Sequence, residues 1–320
     1  MKKDILLNYL LEQIRKKTPP GTNTASMLSD ILCIGKEAVY RRLRGEVPFT
    51  FYEISRISEK LNISIDGVIG RSIPDHILLH LDLMRFESVR EADHRFYLKT
   101  LDFLKRFAAI PGAGTGACAN TVPVAFILKY RSLTEFKVFK WMYQHDPVEK
   151  IKPLHEMDYP ADSQDCCNEI VRAHRSIDSS FYILDPAIFE NLVRYVNYFS
   201  GLQLIRPEDK ERIKADLFRL IEEMEEITRQ GSFETGKKVQ IYISNLNLEA
   251  TYSYYAGPDI TLTLIKFFSM NSIVSQDALL FEKMNNWMQS LKRMSTLISE
   301  SDEMQRVRFF RKQREVIDTL

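Results

Sequence analysis

Helix-breaking residues fall so close together in the first 70 positions that no long helix fits there. Pro19-Pro20-Gly21, Gly35, Gly45-Glu46-Val47-Pro48, Asn62 and Gly70 cut the stretch into five short segments. Each segment carries apolar residues at helical spacing. Ile5, Leu6, Tyr9, Leu10 and Ile14 mark the first, which Lys16-Lys17 and the two prolines end. Thr22 or Thr24 is placed to cap a second with Met27, Leu28, Ile31 and Leu32; a third runs from Lys36 to Arg44. Thr50-Phe51-Tyr52-Glu53 reads as a capping box for a fourth, with Ile54, Ile57 and Leu61 on one face. Ser64-Ile65-Asp66 opens a last turn before Gly70. A helical domain of this size can fold alone.

Beyond Ser72-Ile73-Pro74 the texture changes, and 320 residues exceed what one core usually fills. The expected division is a head over residues 1–72 and a body over 73–320. In the body, alternation from Ile77 to Leu83 is compatible with a strand or a buried helix. Helices are expected near Glu87–Phe107, after Asp185-Pro186, from Pro207 to Gln230, and over Gln276–Ile298 and Glu303–Ile317. Val239, Ile241 and Ile243 alternate with polar residues, Tyr252 and Tyr254 follow, and Gly257-Pro258-Asp259 turns into Ile260–Ile265. That pattern predicts an antiparallel meander. The fold class is therefore α+β and mostly helical, the C-terminal domain being mainly helical with a small antiparallel sheet.

Charge separates the two parts. The whole chain has 44 basic and 43 acidic residues, which excludes a protein that coats nucleic acid over its whole surface. Residues 1–72 hold 12 basic and 8 acidic side chains, leaving the rest slightly acidic. A basic head on a slightly acidic body suits one limited contact with a polyanion. The four cysteines have neither zinc nor disulfide-framework spacing, no signal peptide is legible, and no apolar run is long enough for a bilayer. The expectation is a cytoplasmic protein with no membrane contact.

Residues Met27 to Gly45 carry the most specific pattern. Leu28 and Ser29 supply an apolar and a small residue in one helix. Ile34 supplies an apolar anchor in a turn, Val39 an apolar residue in the next helix, and Arg44-Gly45 its end. This segment, with Ile54–Asp66 after it, resembles the helix-turn-helix of the phage-repressor-like (XRE-type) bacterial transcription regulators. Two positions depart from that pattern: Cys33 stands at the turn glycine and Gly35 at the capping serine. The resemblance covers about residues 1–70 and implies a five-helix DNA-binding domain of the lambda-repressor-like type. The whole chain is similar to regulators of Bacteroidetes-type bacteria with a long C-terminal body, a group whose ligand the resemblance does not supply.

Projection of the third helix agrees without the family. At about 100° per residue, Val39 and Leu43 point one way with Ala38 at their edge. Glu37, Tyr40, Arg41 and Arg44 point the other way. Arginine can hold guanine by two hydrogen bonds, and tyrosine can reach a phosphate or a thymine methyl. The expected DNA-binding residues are Lys36, Glu37, Tyr40, Arg41 and Arg44. The expected partners are double-stranded DNA, a second copy of the chain, and an unknown small-molecule effector of the body. A rival reading makes the head a protein-docking module.

Other constellations read as structural. His76, His80 and His94 lack a supporting carboxylate motif for a metal. Gly112, Gly114 and Gly116 lack the lysine of a phosphate cradle and read as a mobile loop. Cys166-Cys167 near His174 has nothing to orient it for redox work, and Phe126, Tyr130, Phe136, Phe139, Trp141 and Tyr143 suggest core before pocket. Neither a cofactor nor catalysis is expected. The apolar positions on the last two helices, including Phe309 and Phe310, are the candidate dimer surface.

Overall fold

A computed structural model describes residues 5–19, 21–61, 63, 79–82, 89–145, 152–267 and 270–320. The chain divides into two compact units, Met1–Leu79 and His80–Leu320.

The first unit holds α1 (Ile5–Lys17), α2 (Thr24–Leu32), α3 (Lys36–Leu43) and α4 (Phe51–Leu61). The expected fifth helix at 64–70 and the boundary near Pro74 lie outside the described residues. One face of each helix meets a shared core of Leu10, Leu11, Ile14, Leu28, Val39 and Ile57. Asn23, rather than Thr22 or Thr24, caps α2: its side-chain oxygen accepts from the amides of Ala25 and Ser26 at 2.9 and 3.1 Å. The Thr50–Glu53 capping box forms in both directions, Thr50 N donating to Glu53 Oε2 and Glu53 N to Thr50 Oγ1.

The second unit is built on one eight-stranded sheet. Its strands are β1 (His80–Asp82), β2 (Gly114–Ala119), β3 (Ser179–Leu184), β4 (Lys238–Ser244), β5 (Tyr252–Ala256), β6 (Thr261–Phe267), β7 (Asn271–Ser275) and β8 (Ser295–Leu297). Their spatial order is β1-β7-β6-β5-β2-β3-β4-β8. The antiparallel meander read from the sequence is present as β5-β6-β7. It continues into β2, β3 and β4, which pair in parallel. Parallel neighbours need long crossovers. Here these are α6 (Val124–Ile127), α7 (Arg131–His145) and α8 (Ala161–Arg175) before β3, then α9 (Ile188–Gly201) and α10 (Pro207–Gln230) before β4.

Those helices, with α5 (Val89–Ala108) and α12 (Glu303–Asp318), form the large core on one face of the sheet. The other face carries α11 (Ala278–Arg293), whose Met284, Met288 and Leu291 pack on Cys118, Phe181, Ile183 and Tyr254. The expected helix over 276–298 ends early, because residues 295–297 leave it to pair with β4.

Two expectations are corrected. Residues 114–119 are not a mobile loop but a central strand, flanked by β5 and β3. Its small side chains answer a steric demand: a Cβ on Gly116 would lie 2.4 Å from Phe181 Cζ and 2.8 Å from Tyr254 Cε1. The turn before it is fastened too, with Gly112 N donating to Asp178 Oδ2 at 2.6 Å. Phe309 and Phe310 are not a dimer surface, since both are buried in the body's own core.

Phe126, Phe136, Phe139 and Trp141 are buried, as are Cys166 and Cys167. The side chains of His76, His80 and His94 lie outside the described residues.

Candidate nucleic-acid interface

The α2–turn–α3 hairpin owes its bend to Cys33. This residue sits in the left-handed region at φ 54°, ψ 40°, where the usual choice is glycine. Its backbone amide closes α2 onto the carbonyl of Ser29. Ser29 Oγ then donates to the Ile34 carbonyl at 2.6 Å, so the small polar residue of α2 fastens the turn from inside. Gly35 caps α3 without a side chain.

The inward face of α3 is as projected. Val39 is fully buried, and Leu43 packs on the same core. The five expected site residues come together on the opposite side, at the surface. Lys36 is exposed at the first position, Glu37 follows, and Tyr40 is 38% exposed. The side chains of Arg41 and Arg44 are each about half exposed. Arg44 stands one residue beyond α3, in right-handed helical conformation.

Glu46 was not singled out from the sequence, and it changes the electrostatics of this face. Gly45 takes φ 75°, which turns the chain back so that Glu46 lies against the helix it has just left. Arg44 grips its carboxylate with two hydrogen bonds, Nε to Oε1 at 2.6 Å and Nη2 to Oε2 at 3.3 Å. Arg41 Nε stands 3.7 Å from Oε2, and Glu37 approaches Arg44 Nη2 at 3.6 Å. The hydrogen bonds from Arg44 hold the Glu46 carboxyl below the usual range. The legible signal was Arg44-Gly45-Glu46 itself: a glycine after a helix end returns the next side chain to it.

Arg42 has a different task. It is largely buried and bonded to Glu53 on α4, which removes it from any outward role. Three cations and two carboxylates therefore share the outward face. The excess charge of this face is thus small, and its character lies in the direction of its donors.

Residues 2–75 match the BetR domain family. The BetR domain is linked to bacterial transcriptional regulators. The match spans under a quarter of the 320 residues and encloses the whole α2–turn–α3 hairpin. No curated protein and no solved structure matches the chain.

Proposed function

We propose that the chain is a bacterial transcription regulator that binds double-stranded DNA in a sequence-specific manner, with α3 in the major groove. One observation carries this reading. Tyr40 and Arg41 on α3 and Arg44 at its C-terminal end stand exposed while Val39 anchors the helix from behind, within the region matched by the BetR domain.

In this reading Arg41 and Arg44 contact base edges, Tyr40 and Lys36 contact the phosphate backbone, and Glu37 selects against misplaced acceptors. A single recognition helix makes few base contacts, so the regulator works as a homodimer on a two-fold site. The body supplies dimerisation, effector binding or both, carries out no catalysis, and the protein acts in the cytoplasm.

The test is selection of bound sequences from random duplex DNA by the full chain. Enrichment of a palindromic consensus supports the proposal, and no enrichment overturns it. On the selected site, Arg41→Ala and Arg44→Ala should cost about 1–3 kcal/mol each and relax preference at one base pair. Equal losses on matched and scrambled DNA remove the base-reading role.

Docking of a protein partner is the second reading. Phe51 and Tyr52 favour it, because both aromatic side chains stand 70% or more exposed at the start of α4. A salt titration separates the two: phosphate contacts give a steep fall in affinity with ionic strength.

A further inference from the structure

The body contains a cavity of about 610 Å³ between its sheet and the helical layer. That volume falls in the range of about 300–1,000 Å³ typical of small-molecule sites. The strand registers show why the space is empty of side chains. On this face of the sheet, Ala117 of β2 pairs with Ser253 of β5, which pairs with Leu264 of β6, which pairs with Val274 of β7. Large apolar residues occupy the outer two positions and small ones the inner two. The facing wall is mostly apolar, with Phe96, Phe103 and Leu104 of α5 and Ile170 of α8, and Lys99 and Thr100 of α5 and His174 of α8 add polar groups to it. A row of Ala and Ser beneath such a wall leaves a volume that the protein's own side chains do not fill.

One end of the cavity is cationic. Lys266 stands two residues along β6 from Leu264, paired with Ser272, and its side chain lines the cavity. Lys137 of α7 lines the same end. Both also line a smaller adjoining cleft that includes Lys140. Lys140 has an aromatic neighbour, its ammonium lying 4.3 Å from the centre of the Tyr195 ring. Among the described residues Lys266 forms no ion pair, and its electrostatic neighbours are lysines. Burial, with Lys137 and Lys140 adding repulsion, pulls its pKa well below the ordinary lysine value. A half-buried amine lining a cavity beside two other lysines is stabilised by a counter-anion, which also restores its proton.

We infer that this cavity binds an aliphatic carboxylate, with its chain between the α5 wall and the Ala117–Ser253 floor and its acid group on Lys266. A neutral apolar compound would fill the volume but leave the three clustered lysines, Lys137, Lys140 and Lys266, without an anion. A nucleotide or sugar phosphate would bring many polar groups to mostly apolar walls, and no arginine lines the cavity among the described residues. The proposal goes beyond the reading of the head and does not require it: nothing in the pocket depends on DNA.

The test uses the full chain and a series of straight-chain carboxylates from hexanoate to hexadecanoate, with the matching alcohols, in titration calorimetry. An optimum chain length is expected, with the carboxylate bound about tenfold or more tighter than the alcohol. Lys266→Met keeps an unbranched side chain of nearly the same reach and removes its charge. It should abolish the difference between acid and alcohol while retaining chain-length dependence. Ser253→Phe fills the floor and should weaken acid and alcohol alike; thermal unfolding without ligand verifies that each variant is folded. If a folded Lys266→Met binds the carboxylate as tightly as the parent, or the alcohol matches the acid on the parent, the inference fails. Absence of binding across the whole series overturns it as well.

Discussion

Arg42 on α3 and Glu53 on α4 form a two-pronged ion pair: Nε donates to Oε2 at 3.0 Å, and Nη2 lies 2.8 Å from Oε1. The same carboxylate accepts from Thr50 N at 2.8 Å, so one side chain caps α4 and fixes the angle of α3. Burial opposes the charge on Glu53, yet the bonds from Arg42 and Thr50 win and its carboxyl stays below the usual range.

Loss of this pair should loosen the head without changing what it recognises. Glu53→Ala removes charge-assisted bonds worth about 1.5–3 kcal/mol in total stability, since it also uncaps α4 and leaves Arg42 without its partner. Arg42→Ala should cost less. Denaturant unfolding of the full chain, followed by helical circular dichroism, measures both. An unchanged head transition in Glu53→Ala removes the role assigned to the pair.

Glu46 competes with any external anion for Arg44 and Arg41. Glu46→Gln should therefore strengthen duplex DNA binding at low ionic strength. The gain should vanish at high salt, where exposed charges are screened. Filter binding at two salt concentrations checks this. Weaker binding by the variant would mean that Glu46 positions the arginines instead of occupying them.

Gly116 has no room for a methyl group between Phe181 and Tyr254. Gly116→Ala should destabilise the body by about 1–3 kcal/mol as the two rings are pushed from their places. A methyl group at Gly201 would meet nothing within 4 Å, so Gly201→Ala serves as the mild control. Urea midpoints of the two variants give the comparison, and equal midpoints would contradict the close contact at Gly116.

Burial pulls the pKa of His174 down to about 4. In the unfolded chain it titrates near the ordinary 6.5. As pH falls, the unfolded state takes up this proton first, so the contribution is complete above about 6.5 and is lost progressively towards about 4. The full loss is on the order of 3 kcal/mol. His174→Gln should flatten the stability profile in that window, which chemical denaturation at a series of pH values will show. A variant profile as steep as the parent's would place the acid sensitivity elsewhere.

The head was legible because its signals are local. Caps and stops act within a few residues, and Val39 falls inside and Arg41 outside by helical period alone. Glu46 and Arg42 were not separable from other surface charges, because their partners are set by a glycine turn and by a residue eleven positions away. In the body, the meander announced itself through alternating β-branched and aromatic residues. Strand β2 did not, since Gly-Thr-Gly-Ala-Cys-Ala has the composition of a loop. Its place follows from the rings that lie across it, which belong to β3 and β5 and are invisible in a local window. The cavity was hidden for the same reason: Ala117 and Ser253 become neighbours only through pairing of strands more than a hundred residues apart.

Among the described residues the sheet ends on both sides in a strand of three residues, β1 and β8. Such short margins offer an incoming chain very few free backbone groups to zip onto, which guards against runaway stacking of copies. In the proposed homodimer, contact between bodies would then fall to side chains on the helices. Met304 and Val307, which remain exposed on α12 beside the buried phenylalanines, are the first apolar side chains another copy would meet there.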